Sequence, residues 1–303
     1  MNRHALRTAL TRRDRTLKII GAHDALSARV GEHCGFDAIW ASGFGISATH
    51  CVPDANILTM TECLTECAAI VRAVRLPVIA DCDSGYGDLP NVARMVEDYE
   101  RQGVAAVCIE DKVFPKLNSF AVNAGLQRLV PAAHFQAKIR VACAARRSAD
   151  FLVIARTEAL VAGASLDEAL ERAEAYESAG ADALLIHSKA TTPAEIEAFC
   201  ARYRGRCPLI AVPTMYPAFS CDAARRAGVS ALIFANQGIR GCVTALRRVF
   251  KQIHDDGHTQ GVEAELAAIG DIFDLQDMHA LESLYVEHGA EQAGAHAPKT
   301  APR

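Results

Sequence analysis

The sequence of 303 residues lacks a long hydrophobic run, although half of its residues are hydrophobic. Because no stretch of about 18 apolar residues occurs, the sequence predicts no transmembrane helix. It also lacks a large excess of either charge, since its formal net charge is −4 at pH 7. Strongly basic surfaces are typical of nucleic-acid and anionic-membrane binding, so we expect neither nucleic acid nor a membrane as a partner.

Metal-like cysteine spacing and an export signal are also lacking. Cys63 and Cys67 share one face of a predicted helix, but no histidine pair accompanies them, so two buried thiols are the better interpretation. The Arg-rich segment 1–14 has no apolar stretch before a cleavage site, so we expect no secretory signal there. The chain contains 11 cysteines, and free thiols without a signal predict a cytoplasmic protein.

What the sequence does contain is a repeated alternation of short apolar runs and amphipathic helical segments. The runs are rich in Val, Ile, Ala and Leu without strict alternation, as expected of strands that are buried on both faces. They span residues 17–23, 38–42, 77–83, 105–111, 151–158, 183–188, 208–214 and 231–236. Eight strand–helix units in about 250 residues predict an α/β fold, specifically a (β/α)8 barrel.

The alternative α/β architecture, a doubly wound open sheet, has less support. Its dinucleotide fingerprint needs three glycines, and Gly43-Phe44-Gly45 is not followed by the third. We expect one barrel domain with C-terminal helices over residues 1–288 and a disordered tail over 289–303. The connection 113–131 has little helical pattern, and loops of that length are usually functional lids or disordered segments.

Polar or aromatic residues follow the predicted strands, at the end of the barrel where (β/α)8 enzymes carry their active sites. These strand-end residues are His23, Asp24, Trp40, Ser42, Gly43, Asp81, Asp83, Glu110, Asp111, Lys112, Arg156, Glu158, His187, Ser188, Thr214 and Asn236. Burying so many charged groups is costly unless they pair with each other or bind a metal ion. The pattern therefore predicts an active site at this end of the barrel.

Three carboxylates from neighbouring strands form the predicted metal site. Asp81 and Asp83 are two residues apart and share one face of their strand, and Glu110 ends the next strand. Oxygen donors without a thiolate or imidazole nearby favour Mg²⁺, or Mn²⁺, over Zn²⁺. The alternative, carboxylates that pair with Lys or Arg alone, is less favoured because three adjacent acids repel each other without a cation.

Arg156 and His187 are candidates for binding an anionic substrate. An arginine at a strand end suits a carboxylate or phosphoryl group, while an ion pair with Glu158 or Glu110 is about equally consistent with the sequence. His187 either donates to a substrate oxygen or ends its strand as a satisfied polar residue. The segment 42–45 either offers backbone N–H groups to an anion or forms a simple strand-to-helix turn.

These residues also resemble those of the isocitrate lyase and phosphoenolpyruvate mutase superfamily. The segment 110–119 reads EDKVFPKLNS and is similar to the motif of the mutase branch, which is Glu-Asp-Lys, five variable residues and Asn-Ser. The segments DCDSGYG, GAHDALSARV, FLVIARTEAL and IFANQGIR resemble the superfamily as well. This resemblance implies a barrel whose eighth helix is exchanged between the subunits of a homodimer or homotetramer.

The resemblance implies roles for individual residues. The metal ligands for Mg²⁺ are expected to be Asp81, Asp83 and Glu110. The residues that bind the carboxylate and keto oxygen of a small-molecule substrate, or line its pocket, are expected to be Trp40, Ser42, Gly43, Phe44 and Asn236. The catalytic residues, several of them around the phosphoryl group, are expected to be Asp54, Lys116, Asn118, Ser119, Arg156 and His187.

The mutase branch implies interconversion of phosphoenolpyruvate and phosphonopyruvate, in which a P–O bond breaks and a P–C bond forms. Asn118 on the predicted lid is expected to cover the phosphoryl group and exclude water. The resemblance implies that phosphonopyruvate hydrolases typically carry Thr at this position, so Asn118 favours the mutase. The segments 52–60 and 212–217, in contrast, look more like those of the hydrolases. A lyase is less expected because the lid lacks the Cys motif of that branch, and the complete acid cluster argues against a non-catalytic barrel.

Overall fold

The apolar runs become parallel strands because branched apolar side chains pack well on both faces of a buried sheet. The computed structural model describes residues 3–121 and 124–288, and within them eight strands close into a barrel in sequence order. Their bounds are β1 Leu17–Ala22, β2 Ala38–Ala41, β3 Val78–Asp81, β4 Ala106–Glu110, β5 Leu152–Thr157, β6 Ala183–Ile186, β7 Leu209–Ala211 and β8 Val229–Phe234. Strand β1 pairs with both β2 and β8, which closes the ring and confirms the predicted (β/α)8 class.

Helices alternate with these strands. Their bounds are α1 Arg3–Thr11, α2 Ala25–His33, α3 Gly43–Thr49, α4 Met60–Ala73, α5 Leu89–Arg101, α6 Ala132–Ala145, α7 Leu166–Ser178, α8 Ala194–Arg202, α9 Cys221–Ala227, α10 Gln237–Asp256, α11 Ile269–Leu275 and α12 Met278–His288. Side chains cap several of them; Asp24 and Thr59, for example, accept hydrogen bonds from the first turns of α2 and α4. Cys63 and Cys67 of α4 are buried and unpaired, as predicted.

Two apolar clusters fill the barrel and its surroundings. Inward-facing residues such as Ile19 and Ile154 fill the interior, and Leu10 of α1 joins them. Arg7 of α1 donates to Asp182, which precedes β6, so α1 lies at the N-terminal end of the strands. Outward-facing strand residues pack with the helices in a second cluster. The interior is therefore a packed core, and a ligand has room at the C-terminal end of the strands.

The chain divides into two compact units, Met1–Val243 and Thr244–Arg303, and the first of them contains the barrel. In the second unit α11 packs against α12. The single domain over 1–288, the exchange of a helix between subunits and the cytoplasmic location stay predictions, and the tail 289–303 lies outside the described residues. No described helix combines the length and the apolarity that crossing a membrane requires.

Candidate active site

Four polar side chains reach the C-terminal end of the barrel because they continue the inward-facing positions of their strands. Asp81, Glu110 and Arg156 each lie two residues beyond an inward-facing apolar residue of β3, β4 or β5. His187 follows β6 with the same spacing. Glu110 and Arg156 are partners in the pairing of β4 with β5. The barrel therefore brings predicted metal ligands and predicted anion-binding residues to one place.

A cavity opens at this end of the barrel. The predicted site residues in its wall are Trp40, Ser42, Phe44, Asp54, Asp81, Lys116, Asn118, Ser119, Arg156, His187 and Asn236. Gly43, Asp83 and Glu110 lie behind this wall, each within 3.3 Å of a wall residue. The wall is completed by Phe120, Val212, Thr214 and Ala235, which the sequence did not single out as ligand-binding residues.

The predicted metal ligands Asp81 and Asp83 meet beside Gly43. The Gly43 N–H donates to Asp81 Oδ2 over 3.3 Å, and a Cβ atom at Gly43 would lie 3.3 Å from oxygens of both Asp81 and Asp83. Burial raises the pKa of Asp81 to about 6 and that of Asp83 to about 7, although the Lys116 ammonium opposes both shifts. Glycine is therefore the residue that leaves room for both carboxylates.

The chemistry of this donor set fits Mg²⁺. Three carboxylates supply hard oxygen ligands, and Glu110 Oε1 is buried without a hydrogen-bond partner among the described residues. As they stand, Asp83 lies 2.8 Å from Lys116 Nζ and Glu110 lies 3.2 Å from Arg156 Nε. No three His, Cys, Asp or Glu side chains in the described part of the chain are arranged to hold an ion. The donors thus suit a divalent cation, but two of them are paired with basic side chains.

The lid, residues 113–131, has its two ends held together at the barrel. Lys112 forms an isolated antiparallel bridge with Leu129, and the Val130 N–H donates to the Asp111 carbonyl oxygen. Lys116, Asn118, Ser119 and Phe120 of the lid lie in the cavity wall. The described part of the lid therefore supports the prediction of a functional loop over the site rather than a disordered connection.

Two lid residues bind Asp54 across the cavity. Lys116 Nζ and Asn118 Nδ2 each donate to one Asp54 oxygen over 2.6 Å. Burial on its own would raise the pKa of Asp54, but the Lys116 charge and the hydrogen bonds from Lys116 and Asn118 together lower it. Asp54 is thus ionised. It holds the lid through Lys116 and Asn118, which are 62 and 64 residues away from it in sequence.

Glu158 is the central residue of the basic side of the cavity. Its Oε1 accepts from Arg156 Nε over 2.5 Å and lies 2.7 Å from His187 Nδ1. Its Oε2 accepts from Ser119 Oγ over 2.6 Å and lies 3.1 Å from Lys112 Nζ. Burial opposes ionisation, but Arg156, His187 and Lys112 hold the pKa of Glu158 well below its ordinary range. Glu158 therefore stays charged and orients the groups around it.

His187 presents one ring nitrogen to the cavity. Its Nε2 is buried and has no hydrogen-bond partner among the described residues. The Phe120 ring packs edge-on against the imidazole, with the two ring centroids 5.7 Å apart. Burial lowers the pKa of His187 and outweighs the opposing effect of Glu158. The free Nε2 makes His187 a candidate contact for a substrate oxygen.

Two alternatives that the sequence left open, for Arg156 and for the segment 42–45, can be compared with the geometry. Arg156 forms ion pairs with Glu158 and Glu110 and also lines the cavity, so the two interpretations hold together. The segment 42–45 is a strand-to-helix turn, because Ser42 Oγ accepts from the Gly45 N–H at the start of α3. The central place of Glu158 was missed, although its position two residues after Arg156 on one strand face was a usable signal.

The comparisons with known proteins agree with this geometry. The sequence model of phosphoenolpyruvate phosphomutases matches residues 6–254. The chain is 45% identical over 287 residues to a phosphonopyruvate hydrolase from Variovorax sp. (strain Pal2), covering 93% of this chain and 98% of that protein. The crystal structure of a phosphoenolpyruvate phosphomutase from Streptomyces platensis subsp. rosaceus is similar with a TM-score of 0.92 and 44% identity, covering 94% of this chain and 99% of that one.

A second similar structure bears on the metal. It is a phosphonopyruvate hydrolase in complex with oxalate and Mg²⁺, with a TM-score of 0.88 and 42% identity, covering 95% of this chain and 99% of that one. The family model, the fold and the site residues therefore support the same family assignment. The chain belongs to the phosphoenolpyruvate phosphomutase family, in the branch of the isocitrate lyase superfamily that holds the mutases and the phosphonopyruvate hydrolases.

Proposed function

We propose that the protein is a phosphoenolpyruvate mutase, which interconverts phosphoenolpyruvate and phosphonopyruvate. The observation that carries this proposal is the position of Asn118 in the cavity wall. Its Nδ2 donates to Asp54, its Oδ1 accepts from the Phe120 N–H, and its carbonyl oxygen accepts from Gln127. These three contacts hold the amide where it covers a bound group and excludes water.

Exclusion of water decides between group transfer and hydrolysis. The P–O bond of phosphoenolpyruvate breaks to give a loose, metaphosphate-like group and the enolate of pyruvate. The methylene carbon of the enolate then forms the P–C bond of phosphonopyruvate. A water molecule beside the phosphorus would instead release phosphate, so a mutase has to keep this part of the cavity dry.

The basic side of the cavity suits the phosphoryl group. The Arg156 guanidinium lines the cavity and can bind phosphoryl oxygens. The Ser119 hydroxyl beside it can donate to a neighbouring phosphoryl oxygen when it gives up its hydrogen bond to Glu158. The His187 Nε2 atom is available to a third oxygen. Glu158 holds Arg156, Ser119 and His187 in place, which fixes the group while the enolate turns.

The acidic side of the cavity suits the pyruvyl half of the substrate. Asp81, Asp83 and Glu110 would hold Mg²⁺, which when bound supplies positive charge that stabilises the enolate oxygen. Lys116 lies between Asp54 and Asp83 and so fixes the lid against this side. The site thus carries complementary charge for both ends of a small phosphorylated keto acid.

Phosphonopyruvate hydrolysis is the second candidate function. The Variovorax hydrolase is similar over nearly the whole chain, and the segments 52–60 and 212–217 resemble hydrolases. The same contacts would then hold the phosphono group while water attacks the phosphorus. A carbon–carbon lyase has less support, because residues 113–131 contain no cysteine that corresponds to the lyase motif.

The test is ³¹P NMR of the purified protein with phosphonopyruvate and Mg²⁺, alongside the Asn118→Ala variant. We expect the wild type to form phosphoenolpyruvate, and we expect the variant to remain folded but to lose this product. Inorganic phosphate and pyruvate as the wild-type products would replace the mutase with the hydrolase. Unimpaired P–C bond chemistry in the variant would reject the role of Asn118.

A further inference from the structure

The turn that carries Asp83, residues 83–87 between β3 and α5, has an unfavourable backbone. Asp83, Gly85, Tyr86 and Gly87 have φ angles between 51° and 143°. This left-handed region is unfavourable for Asp83 and Tyr86, and such residues persist only where the surrounding structure imposes the conformation. A neighbouring group therefore has to hold the 83–87 turn in shape.

Lys138 of α6 is placed to do this. Its side chain is 3% exposed, and its Nζ donates to the carbonyl oxygens of Ser84 over 2.8 Å and of Gly87 over 2.7 Å. The ammonium thus joins the two sides of the turn. No carboxylate among the described residues forms an ion pair with it, and burial lowers the pKa of Lys138 against the weaker effect of Asp88. A buried charge of this kind is costly, so backbone dipoles have to stabilise it.

The backbone of the 83–87 turn determines where the Asp83 carboxylate lies. The carbonyl oxygen of Asp83 accepts from the Glu110 N–H over 2.7 Å, and the Gly85 N–H donates to the Cys82 carbonyl over 2.9 Å. The first bond ties the turn to β4, next to the other predicted metal ligands, and the second is local to the turn itself. A shift of the carbonyl groups that Lys138 holds would therefore move Asp83 away from Asp81 and Glu110.

We infer that the Lys138 ammonium acts as a built-in monovalent cation that positions Asp83 for binding a divalent cation. Carbonyl oxygens coordinate monovalent cations in place of water, and here the protein supplies that charge on its own side chain. Lys138 is not part of the cavity wall, so it is a positioning residue. The inference rests on the proposed Mg²⁺ site, but it does not depend on whether the product is phosphoenolpyruvate or phosphate.

The experiment measures Mg²⁺ affinity by titration calorimetry and thermal stability for the wild type and three variants. Lys138→Ala leaves space for a small cation, Lys138→Met fills that space without charge, and Arg140→Ala removes an exposed cation from the same helix as a control. Each is measured in ammonium chloride, sodium chloride and tetramethylammonium chloride at equal ionic strength. We expect Lys138→Ala and Lys138→Met to bind Mg²⁺ at least about 10-fold more weakly, as for lost outer-shell partners of metal ligands.

Ammonium is expected to restore the affinity and the melting temperature of Lys138→Ala but not of Lys138→Met, with Arg140→Ala unchanged throughout. Wild-type affinity of either Lys138 variant in sodium chloride, or no advantage of ammonium over the other salts for Lys138→Ala, would overturn the inference. If Lys138→Ala unfolds in sodium chloride, its melting temperature in ammonium chloride and the affinity of Lys138→Met decide the matter. A wild type that binds Mg²⁺ but forms phosphate would refute the mutase and leave this inference standing, whereas no Mg²⁺ binding would refute the inference.

Discussion

The two sides of the cavity are both buried, yet their charges are balanced in different ways. On the acidic side, four carboxylates surround the Lys116 ammonium, those of Asp54, Asp81, Asp83 and Glu110. The ends of β3 and β4 and the lid bring these groups together. On the basic side, one carboxylate, Glu158, is in contact with Arg156, Lys112 and His187. Glu110 joins the two sides, because it also lies 3.2 Å from Arg156.

The difference in charge balance indicates the sign of the ligand charge that each side would bind. The basic side holds the pKa of Glu158 well below its ordinary value, so its internal charge is stabilised without a ligand. The acidic side raises the pKa of Asp81 and Asp83 to about 6 and about 7, chiefly by burial, so its carboxylates are poorly compensated. An acidic side short of positive charge suits a cation, and a basic side with excess positive charge suits an oxyanion.

The largest expected effect comes from removing Asp81 from the acidic side. We expect Asp81→Ala to lower kcat/KM for phosphonopyruvate by roughly 1000-fold or more, because the loss of metal charge stabilisation is worth several kcal/mol. Calorimetry should show that Mg²⁺ binding is lost as well. The exposed Asp222→Asn variant on α9 is the control and should behave as the wild type. Near wild-type turnover of Asp81→Ala at saturating Mg²⁺ would contradict the assignment of the acidic side as the site that binds a cation.

Much of the acidic side could be predicted from sequence because it depends on strand periodicity. Asp81 and Glu110 are the next inward-facing positions after apolar residues of β3 and β4, and alternation alone places them at the barrel end. Strand lengths were less predictable. The run 208–214 yields only Leu209–Ala211 as β7, since Pro213 has no N–H to donate to a neighbouring strand.

The basic side was harder to predict, because its contacts depend on a lid that folds back over the barrel. Ser119 of the lid donates to Glu158 over a separation of 39 residues, and no periodicity in the sequence encodes that meeting. From the sequence, Glu158 was expected at a strand end, with no role beyond that of an alternative partner of Arg156. The strained backbone of the 83–87 turn was also invisible, because a positive φ at Asp83 or Tyr86 is imposed by tertiary contacts.

An intermediate effect is expected on the basic side from Glu158→Gln, which keeps the shape but removes the charge. Arg156, Lys112 and His187 would lose their shared carboxylate, so we expect kcat/KM to fall roughly 100-fold, as for lost outer-shell partners. Unfolding should require about 3 kcal/mol less free energy, since basic groups remain buried without their partner. Denaturant unfolding and steady-state kinetics measure the two effects, and Mg²⁺ affinity should change little.

The same variant has a pH signature. Because the folded pKa of Glu158 lies well below the ordinary value of 4.5, the wild type gains stability from this group above pH 4.5 and loses it as the pH falls toward the folded pKa. The stability difference between wild type and Glu158→Gln should therefore narrow below pH 4.5. The exposed Glu171→Gln variant on α7 should show no such trend. A difference that is independent of pH would mean that Glu158 acts through packing rather than charge.

The smallest expected effect separates the two sides with a matched pair of aromatic residues. Phe120 and Phe44 both line the cavity and are both 39% exposed, but Phe120 contacts the His187 ring edge-on. Because such a contact is worth about 1 kcal/mol, Phe120→Ala should raise KM for phosphonopyruvate roughly 5-fold and leave Mg²⁺ affinity unchanged. The His187 ring signals in NMR should move in Phe120→Ala and stay in place in Phe44→Ala. If both variants move these signals equally, the Phe120 ring does not interact with His187 more than Phe44 does, and Phe120 is not part of the basic side.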